Sequence, residues 1–201
     1  MELEEALLLG YLALGLNKMH TALQENNYIL IKNFIDKNEA EKLAQNFMAD
    51  CENFEPDHQS PGAPSKYNYE HFLYLLCEKT GKVSSIYGNK VIPTYAYARW
   101  YRNGGTLAKH SDRESCEVSI TLNLKKDRDW PIYIETPYGQ TASVELDQGD
   151  AMMYLGSYAK HWRDEITDGN IVQVFLHYVD INGPNKGHYF DRIVVKDNDL
   201  E

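Results

Sequence analysis

The sequence predicts a mainly β fold with N-terminal helices, in which the β part is an eight-stranded jelly roll. In the first half, residues 37–50 and 70–88 read as helices, the former with apolar positions at helical spacing. From about residue 93 the chain changes to short runs rich in β-branched and aromatic residues, separated by turns such as 103–105 and 168–170. Many short strands at this spacing favour a sandwich or barrel over a βαβ fold.

The first part of the chain is expected to contain one strand and two helices. The run YILIKNF (28–34) is typical of a strand. Asp36 follows it as an expected N-cap, because its side chain can accept hydrogen bonds from the first free N–H groups of a helix. Residues 54–68 are rich in Pro, Gly and Ser and are expected to form a long loop. A second helix is expected to begin at residue 70 and to end at Gly88.

The runs expected to be strands of the β core are PTYAYARWY, CEVSITLNL, WPIYIET, ASVELD, AMMYLG, KHWRDEI and IVQVFLHYV. A chain of 201 residues is long enough for one domain with a sizeable core. We therefore predict a single domain over 1–201. Residues 1–92 would supply helical support and a strand, 93–180 the β core, and 181–201 a C-terminal tail.

Charge and cysteine usage narrow the class of protein. The formal net charge of −10 argues against nonspecific nucleic-acid binding, which needs a basic face, and fits poorly with anionic membranes. The chain has three cysteines, Cys51, Cys77 and Cys116, which is an odd number, and no two of them are close in sequence. A disulfide framework or a structural zinc site is therefore not expected, and the sequence indicates a cytoplasmic protein.

The N-terminal run ALLLGYLALGL (6–16) is apolar. It is too short to span a bilayer, and it follows acidic residues where a signal peptide would be basic. We expect an amphipathic helix docked on the protein and no membrane association. A helix that binds a partner or forms a dimer is the alternative.

The stretch YRNGGTLAKHSD (101–112) carries the first candidate metal ligands. In an extended segment, residues i and i+2 point the same way, so His110 and Asp112 would present an imidazole and a carboxylate to one point. His161 follows an apolar strand and a short loop, which predicts a position at the mouth of a barrel. The other histidines are interpreted as surface, capping or core residues; these are His20, His58, His71, His177 and His188.

Two histidines and one carboxylate form the ligand set of non-haem Fe(II) oxygenases, and this set leaves coordination positions open for O₂ activation. Neutral imidazole and carboxylate suit Fe(II), and no thiolate is needed. His110, Asp112 and His161 are therefore the predicted metal-binding and catalytic residues.

The sequence resembles the Fe(II)- and 2-oxoglutarate-dependent dioxygenases, and within them the prolyl-4-hydroxylase-like branch. The resemblance covers about residues 28–180 and is carried by YILIKNFI, RWYRNGGTLAKHSD, SITLNL, LDQGDAMMYLG and HWRDEITDGNIVQVFLHY. It implies a double-stranded β-helix core of the jelly-roll or cupin-like kind, iron held by His110, Asp112 and His161, and 2-oxoglutarate bound to the metal. Oxidative decarboxylation to succinate and CO₂ would then drive hydroxylation of a C–H bond, with ascorbate as an optional further cofactor.

The chain departs from the family where the distal carboxylate of 2-oxoglutarate is usually bound by a Lys or Arg, because that position is Ile171. Arg163 is the favoured substitute, since in a strand it shares the face of His161. Lys125 is a rival on the assumption that it aligns with Ser119, Thr121 and Asn123, and Arg99 is a third candidate.

Tyr101 matches a family tyrosine that often contacts the cosubstrate. A second tyrosine that prolyl hydroxylases often use is Leu107 here, which weakens the prolyl assignment.

Three functions remain open from the sequence. The first is hydroxylation of a peptidyl residue, with a prolyl residue as the family's example. The second is the same chemistry on a small molecule such as a free amino acid. The third is a non-catalytic cupin-like binding module, which the missing cation at Ile171 favours. Nucleic-acid demethylation is disfavoured by the acidic charge.

Overall fold

The computed structural model describes residues 19–51, 54–57, 59–60 and 62–191. The apolar run 6–16 lies outside the described residues, so its docking stays a prediction. None of the helices in the described part is long and apolar enough to cross a membrane.

Two of the helices follow the boundaries that the sequence predicts, and a third precedes them for which no bounds are predicted. Helix α1 occupies residues 19–26, α2 spans Lys37–Ala49 and α3 spans Glu70–Tyr87. The carboxylate of Asp36 accepts the N–H of Asn38 at 2.8 Å, which confirms the expected N-cap. Gly88 ends α3 with φ 89°, a left-handed conformation that glycine adopts without steric cost.

The strands are β1 (Tyr28–Ile31), β2 (Glu55–Pro56), β3 (Pro64–Tyr67), β4 (Val91–Tyr101), β5 (Leu107–His110), β6 (Val118–Lys126), β7 (Ile132–Glu135), β8 (Thr141–Val144), β9 (Ala151–Tyr154), β10 (His161–Arg163) and β11 (Ile171–Asp180). The expectation of a structureless loop over 54–68 is wrong in part. That segment contributes β2 and β3, which extend one edge of the larger sheet beside β4.

Two antiparallel sheets form the β core. The larger sheet has the order β1-β9-β6-β11-β4-β3-β2, and the smaller has the order β5-β10-β7-β8. From β4 to β11 the chain passes back and forth between the two sheets, which is the topology of a jelly roll. The predicted mainly β fold with a double-stranded β-helix core is confirmed.

The main apolar core lies between the helices and the outer face of the larger sheet. Apolar residues of α2 and α3, such as Ala44, Phe47 and Leu76, are fully buried there against β6 and β11. Val172 and Leu176 of β11 belong to this outer core. The helices thus seal one face of the sheet and leave the inner face to the site.

The space between the sheets is less apolar than the outer core. Alternate residues of β11 face this space, among them Gln173, Phe175 and His177, because side chains of a strand alternate between faces. Buried polar residues are costly unless they are hydrogen-bonded or bind a ligand. Their concentration between the sheets marks this space as the candidate site.

Candidate metal centre and cavity

Strands β5 and β10 place the two candidate histidines side by side. His110 is the last residue of β5, His161 is the first residue of β10, and the two are antiparallel cross-strand partners. Asp112 follows two residues after His110, and its N–H donates to the carbonyl of Gly156 at 2.9 Å. The two strands thus bring the three predicted residues together, and their role as metal ligands stays a prediction.

The three ligand atoms are spaced as ligands of one ion would be. Asp112 Oδ1 lies 3.3 Å from His110 Nε2 and 3.6 Å from His161 Nε2. Ligand atoms held about 2.1 Å from one metal at right angles would lie about 3 Å apart. A small inward adjustment would therefore let a single transition-metal ion bind all three residues.

Each imidazole is oriented by its own main chain. His110 Nδ1 lies 2.7 Å from the carbonyl oxygen of Ala108, and His161 Nδ1 lies 3.0 Å from that of Ala159. A carbonyl oxygen only accepts, so each Nδ1 carries the proton and donates it. The lone pair of each neutral ring is then on Nε2, which faces Asp112.

The charges of the cluster support metal binding. Burial acts to raise the pKa of Asp112, but the hydrogen bond that Nε2 of protonated His110 donates, together with the neighbouring His161, holds that pKa below its usual value. Burial lowers the pKa of His161 and so favours its neutral form. Burial also opposes protonation of His110, but its hydrogen bond to Asp112 outweighs this and leaves the pKa raised. A bound cation would replace that proton as the partner of Asp112.

A cavity of about 330 Å³ opens beside this cluster. The side chains around it include a row of aromatic rings, with Tyr67 4.5 Å from Tyr97 and 5.5 Å from Tyr95 between ring centroids. Phe175 continues the row, 6.1 Å from Tyr97. The cavity therefore has a polar metal end and an aromatic wall.

Arg163 is buried between the sheets without an anionic partner. It is 2 % exposed, donates to Gln173 Oε1 at 3.1 Å and also to the carbonyl of Trp130. Its Nε has no hydrogen-bond partner, and no carboxylate within the described part of the chain forms an ion pair with it. Burial lowers the pKa of Arg163 to about 10. A buried, uncompensated guanidinium is suited to bind a carboxylate.

Arg99, in contrast, already has a carboxylate partner. Asp57, in the segment after β2, forms an ion pair with Arg99, and Tyr97 also donates to Asp57. Gln59 accepts from Arg99 Nη2 at 3.0 Å, and the hydroxyl of Tyr101 accepts from Nη1 at 2.5 Å. Arg99 lines the cavity, whereas Arg163 does not. Leu107, which pairs with Arg163 across the strands, also lines the cavity, so Arg163 lies next to the cavity wall.

Solved structures share this architecture at low sequence identity. A prolyl-4-hydroxylase from Pseudomonas putida is 15% identical, with a TM-score of 0.65, and the match covers 81% of this chain and 97% of that one. An oxidoreductase of the 2OG-Fe(II) oxygenase family from Burkholderia pseudomallei is 13% identical, with a TM-score of 0.68 and coverage of 85% and 93%. The chain has the fold of the 2OG-Fe(II) oxygenases.

A third solved structure with this oxygenase fold is EctD from S. alaskensis with 2-oxoglutarate and 5-hydroxyectoine. It is 13% identical, with a TM-score of 0.66, and the match covers 82% of this chain and 76% of that one. In sequence comparisons, no protein-family model and no curated protein matches the chain.

Lys125 does not lie on the inner face of the sheet, where its spacing from Ser119, Thr121 and Asn123 predicts it. The pairing of β6 with β11 shifts register, so that Gln173 pairs with Asn123 but Val172 pairs with Lys125. This bulge turns Lys125 to the outer face, where it lies 3.6 Å from Glu41 of α2. The assumption that Lys125 shares the inner face is wrong.

Tyr101 lies between the two arginines. It is fully buried, it accepts a hydrogen bond from Arg99, and its ring packs at 4.7 Å against Trp130. Trp130 in turn lies 4.6 Å from the guanidinium carbon of Arg163. Tyr101 is therefore close to both candidate arginines, and a role in contacting a cosubstrate stays a prediction.

Local sequence patterns do not indicate several polar residues of the candidate site. Asp57 lay in the expected loop, and Cys116 carried no motif. His177 is buried and hydrogen-bonded to Ser119, as expected of a satisfied core histidine, and it also lines the cavity, 4.5 Å from the ring of Tyr95. Alternation along the strand could have indicated this position of His177, because it places His177 on the same face of β11 as Gln173 and Phe175.

Proposed function

We propose that the protein is an Fe(II)- and 2-oxoglutarate-dependent oxygenase that hydroxylates a C–H bond. The observation that carries the proposal is the convergence of His110 Nε2 and His161 Nε2 on one oxygen of Asp112, with both Nδ1 atoms tied to the main chain. The shared fold supports it.

The donor set fits Fe(II). Two imidazoles and one carboxylate on one side of an ion leave the opposite side for other ligands. His110, Asp112 and His161 would hold the iron, and the cavity beside them gives access. When bound, iron and 2-oxoglutarate would together activate O₂, which is the oxidant: one oxygen atom would enter succinate as CO₂ is released, and the other would enter the hydroxylated C–H bond.

The charges between the sheets also fit the cosubstrate. Asp57 compensates Arg99, whereas Asp112 and Arg163 are of opposite sign but form no ion pair with each other. When the histidines are neutral, the charges of these two carboxylates and two guanidinium groups add up to zero. A divalent cation at Asp112 and a dianion reaching Arg163 keep that sum at zero, while either alone leaves a buried charge uncompensated. Arg163 is therefore our proposed anchor for the distal carboxylate, with Tyr101 and Arg99 beside it.

For the substrate, we propose a peptidyl residue, with a prolyl residue as the first candidate. The similarity to a bacterial prolyl-4-hydroxylase over almost all of that chain supports this choice. The aromatic wall of Tyr67, Tyr95 and Tyr97 would pack against an apolar ring. Tyr67 is 43 % exposed and lies at the cavity rim, where a segment of a longer chain could pass.

A small molecule is the second candidate. The cavity volume of about 330 Å³ falls within the range of small-ligand sites. EctD, which shares the fold, was solved with 5-hydroxyectoine.

Cytoplasmic location and the absence of nucleic-acid partners stay predictions from composition.

An anaerobic titration tests the proposed chemistry. Fe(II) and 2-oxoglutarate added together should give the weak visible charge-transfer band of the chelate, and O₂ should then yield succinate. His110→Ala, Asp112→Ala and His161→Ala should each abolish both signals and retain the folded circular-dichroism spectrum. A wild-type protein without band or succinate would be a non-catalytic binding module.

The two substrate classes can be separated by stimulation of succinate release. A panel of proline-containing peptides and a panel of free amino acids would be compared at equal concentration. Stimulation confined to peptides supports the prolyl proposal, and stimulation confined to amino acids overturns it. Tyr67→Ala should selectively weaken the apparent affinity for the stimulating substrate and leave the apparent affinity for the cosubstrate unchanged.

A further inference from the structure

A second group of metal-ligand side chains lies beside the first one. Asp112, Cys116 and His177 each offer one ligand atom, and these atoms lie within 4.8 Å of one another. Cys116 is 2 % exposed and His177 is 5 % exposed, yet both line the cavity. An ion could therefore reach them from solvent and bind with little water left around it.

Hydrogen bonds hold Cys116 and His177 in place. Cys116 ends a short 3-10 turn (Glu114–Cys116), and its Sγ lies 3.0 Å from the hydroxyl of Tyr95. Ser119 Oγ donates to the carbonyl of Cys116 at 3.1 Å and lies 2.8 Å from His177 Nδ1. Because the hydroxyl proton goes to the carbonyl, the oxygen accepts from Nδ1. The other nitrogen of the neutral His177 ring is then free of a proton.

We propose that Asp112, Cys116 and His177 form a second metal site, which selects a thiophilic divalent cation such as Zn²⁺ over Fe(II). Thiolate, imidazole and carboxylate are the common protein ligands of Zn²⁺, whereas the His110, Asp112 and His161 group has no sulfur. Binding converts the Cys116 thiol to a thiolate and releases its proton to solvent. Three protein ligands leave a fourth position toward the cavity.

The two sites share Asp112, and this links them. Asp112 Oδ1 faces His110 and His161, while Asp112 Oδ2 lies 3.5 Å from the hydroxyl of Tyr154. A cation bound to Cys116 and His177 draws on the same carboxylate and so weakens the ligand set of the neighbouring site. Zn²⁺ bound at the second site would thus weaken the binding of Fe(II) at the first site.

Cobalt gives a direct test, because Co²⁺ bound to a thiolate has a strong near-ultraviolet sulfur-to-metal charge-transfer band. Reduced protein without bound metal would be titrated with Co²⁺ alone. We expect this band in the wild-type protein and in His110→Ala, which removes a ligand of the first site only. Cys116→Ser should abolish the band, and His177→Gln should weaken Co²⁺ affinity at this site by more than about tenfold.

A matched control is the Cys51→Ser, Cys77→Ser double variant, which removes the other two cysteines and should keep the band. Absence of the band in the folded wild-type protein, or a band that persists in Cys116→Ser, overturns the second site. Neither outcome affects the Fe(II) and 2-oxoglutarate proposal, whose titration depends on His110 and His161. A folded Cys116→Ser protein is established by circular dichroism before the titration.

Discussion

Replacement of Arg163 by Met should show whether Arg163 binds a ligand carboxylate or stabilises the fold. Burial lowers the pKa of Arg163 from 12.5 to about 10, so folding disfavours its charged form by about 3 kcal/mol. Met removes that cost and also loses the hydrogen bonds to Trp130 and Gln173. We therefore expect the unliganded protein to unfold with a free energy within about 1 kcal/mol of wild type. A structural buried ion pair would instead lose about 3–5 kcal/mol.

The same change should strongly reduce affinity for 2-oxoglutarate. One charge-assisted pair in a desolvated site contributes about 2–5 kcal/mol, which is about thirtyfold to several thousandfold in affinity. Urea unfolding without ligand gives the stability, and the anaerobic chelate band gives the affinity. Lys125→Met is the control, because Lys125 lies on the outer face beside Glu41 and should change neither value. Near-normal affinity in Arg163→Met, with loss in Arg99→Met, would refute the reasoning and make Arg99 the anchor.

Three further substitutions test other parts of the site. A Cβ at Gly156 would lie 2.5 Å from the main-chain oxygen of Cys116 and 2.6 Å from Asp112 Oδ2, so the segment and this carboxylate must both shift. Gly156→Ala should therefore weaken Fe(II) binding more than about tenfold in a metal titration. Gly81→Ala is the control, because its Cβ meets no neighbour within 4 Å. Burial lowers the pKa of His177 from 6.5 to about 4. Between these two pKa values the unfolded chain binds more protons than the folded protein does. The free energy of unfolding therefore decreases as the pH falls from about 6.5 to about 4. Urea unfolding should show wild type losing about 2 kcal/mol more than His177→Gln between about pH 7 and about pH 5, and parallel pH profiles would disprove this. Asp57→Asn leaves a buried guanidinium unpaired and should lower the unfolding free energy by about 3 kcal/mol, and a loss below about 1 kcal/mol would contradict the structural role of that ion pair.

The part of the site that local spacing determines was predictable from the sequence. His110 and Asp112 are two residues apart at the end of β5, so their common direction follows from the geometry of an extended chain. The N-cap of α2 at Asp36 is local in the same sense. His161 could be placed because it begins a strand after a short loop.

The rest depends on strand register, which the sequence does not display. Lys125 leaves the inner face because a bulge interrupts the pairing of β6 with β11. His177 meets Ser119 because these residues are cross-strand partners. Asp57 reaches Arg99 because β2 and β3 join the edge of the larger sheet. Each contact joins residues far apart in the chain, so local patterns carry no signal for it.

The main-chain carbonyls of Ala108 and Ala159 have a consequence for how this centre can change over time. Each lies two residues before the histidine that it orients, and each belongs to the backbone and not to a side chain. Substitution at either alanine therefore cannot delete the acceptor, provided that the local backbone keeps its conformation. The orientation of both imidazoles therefore depends on the path of the chain and not on the identity of these two side chains. A candidate metal site supported in this way depends on the backbone path of the fold, which the chain shares with solved structures of only 13–15% identity.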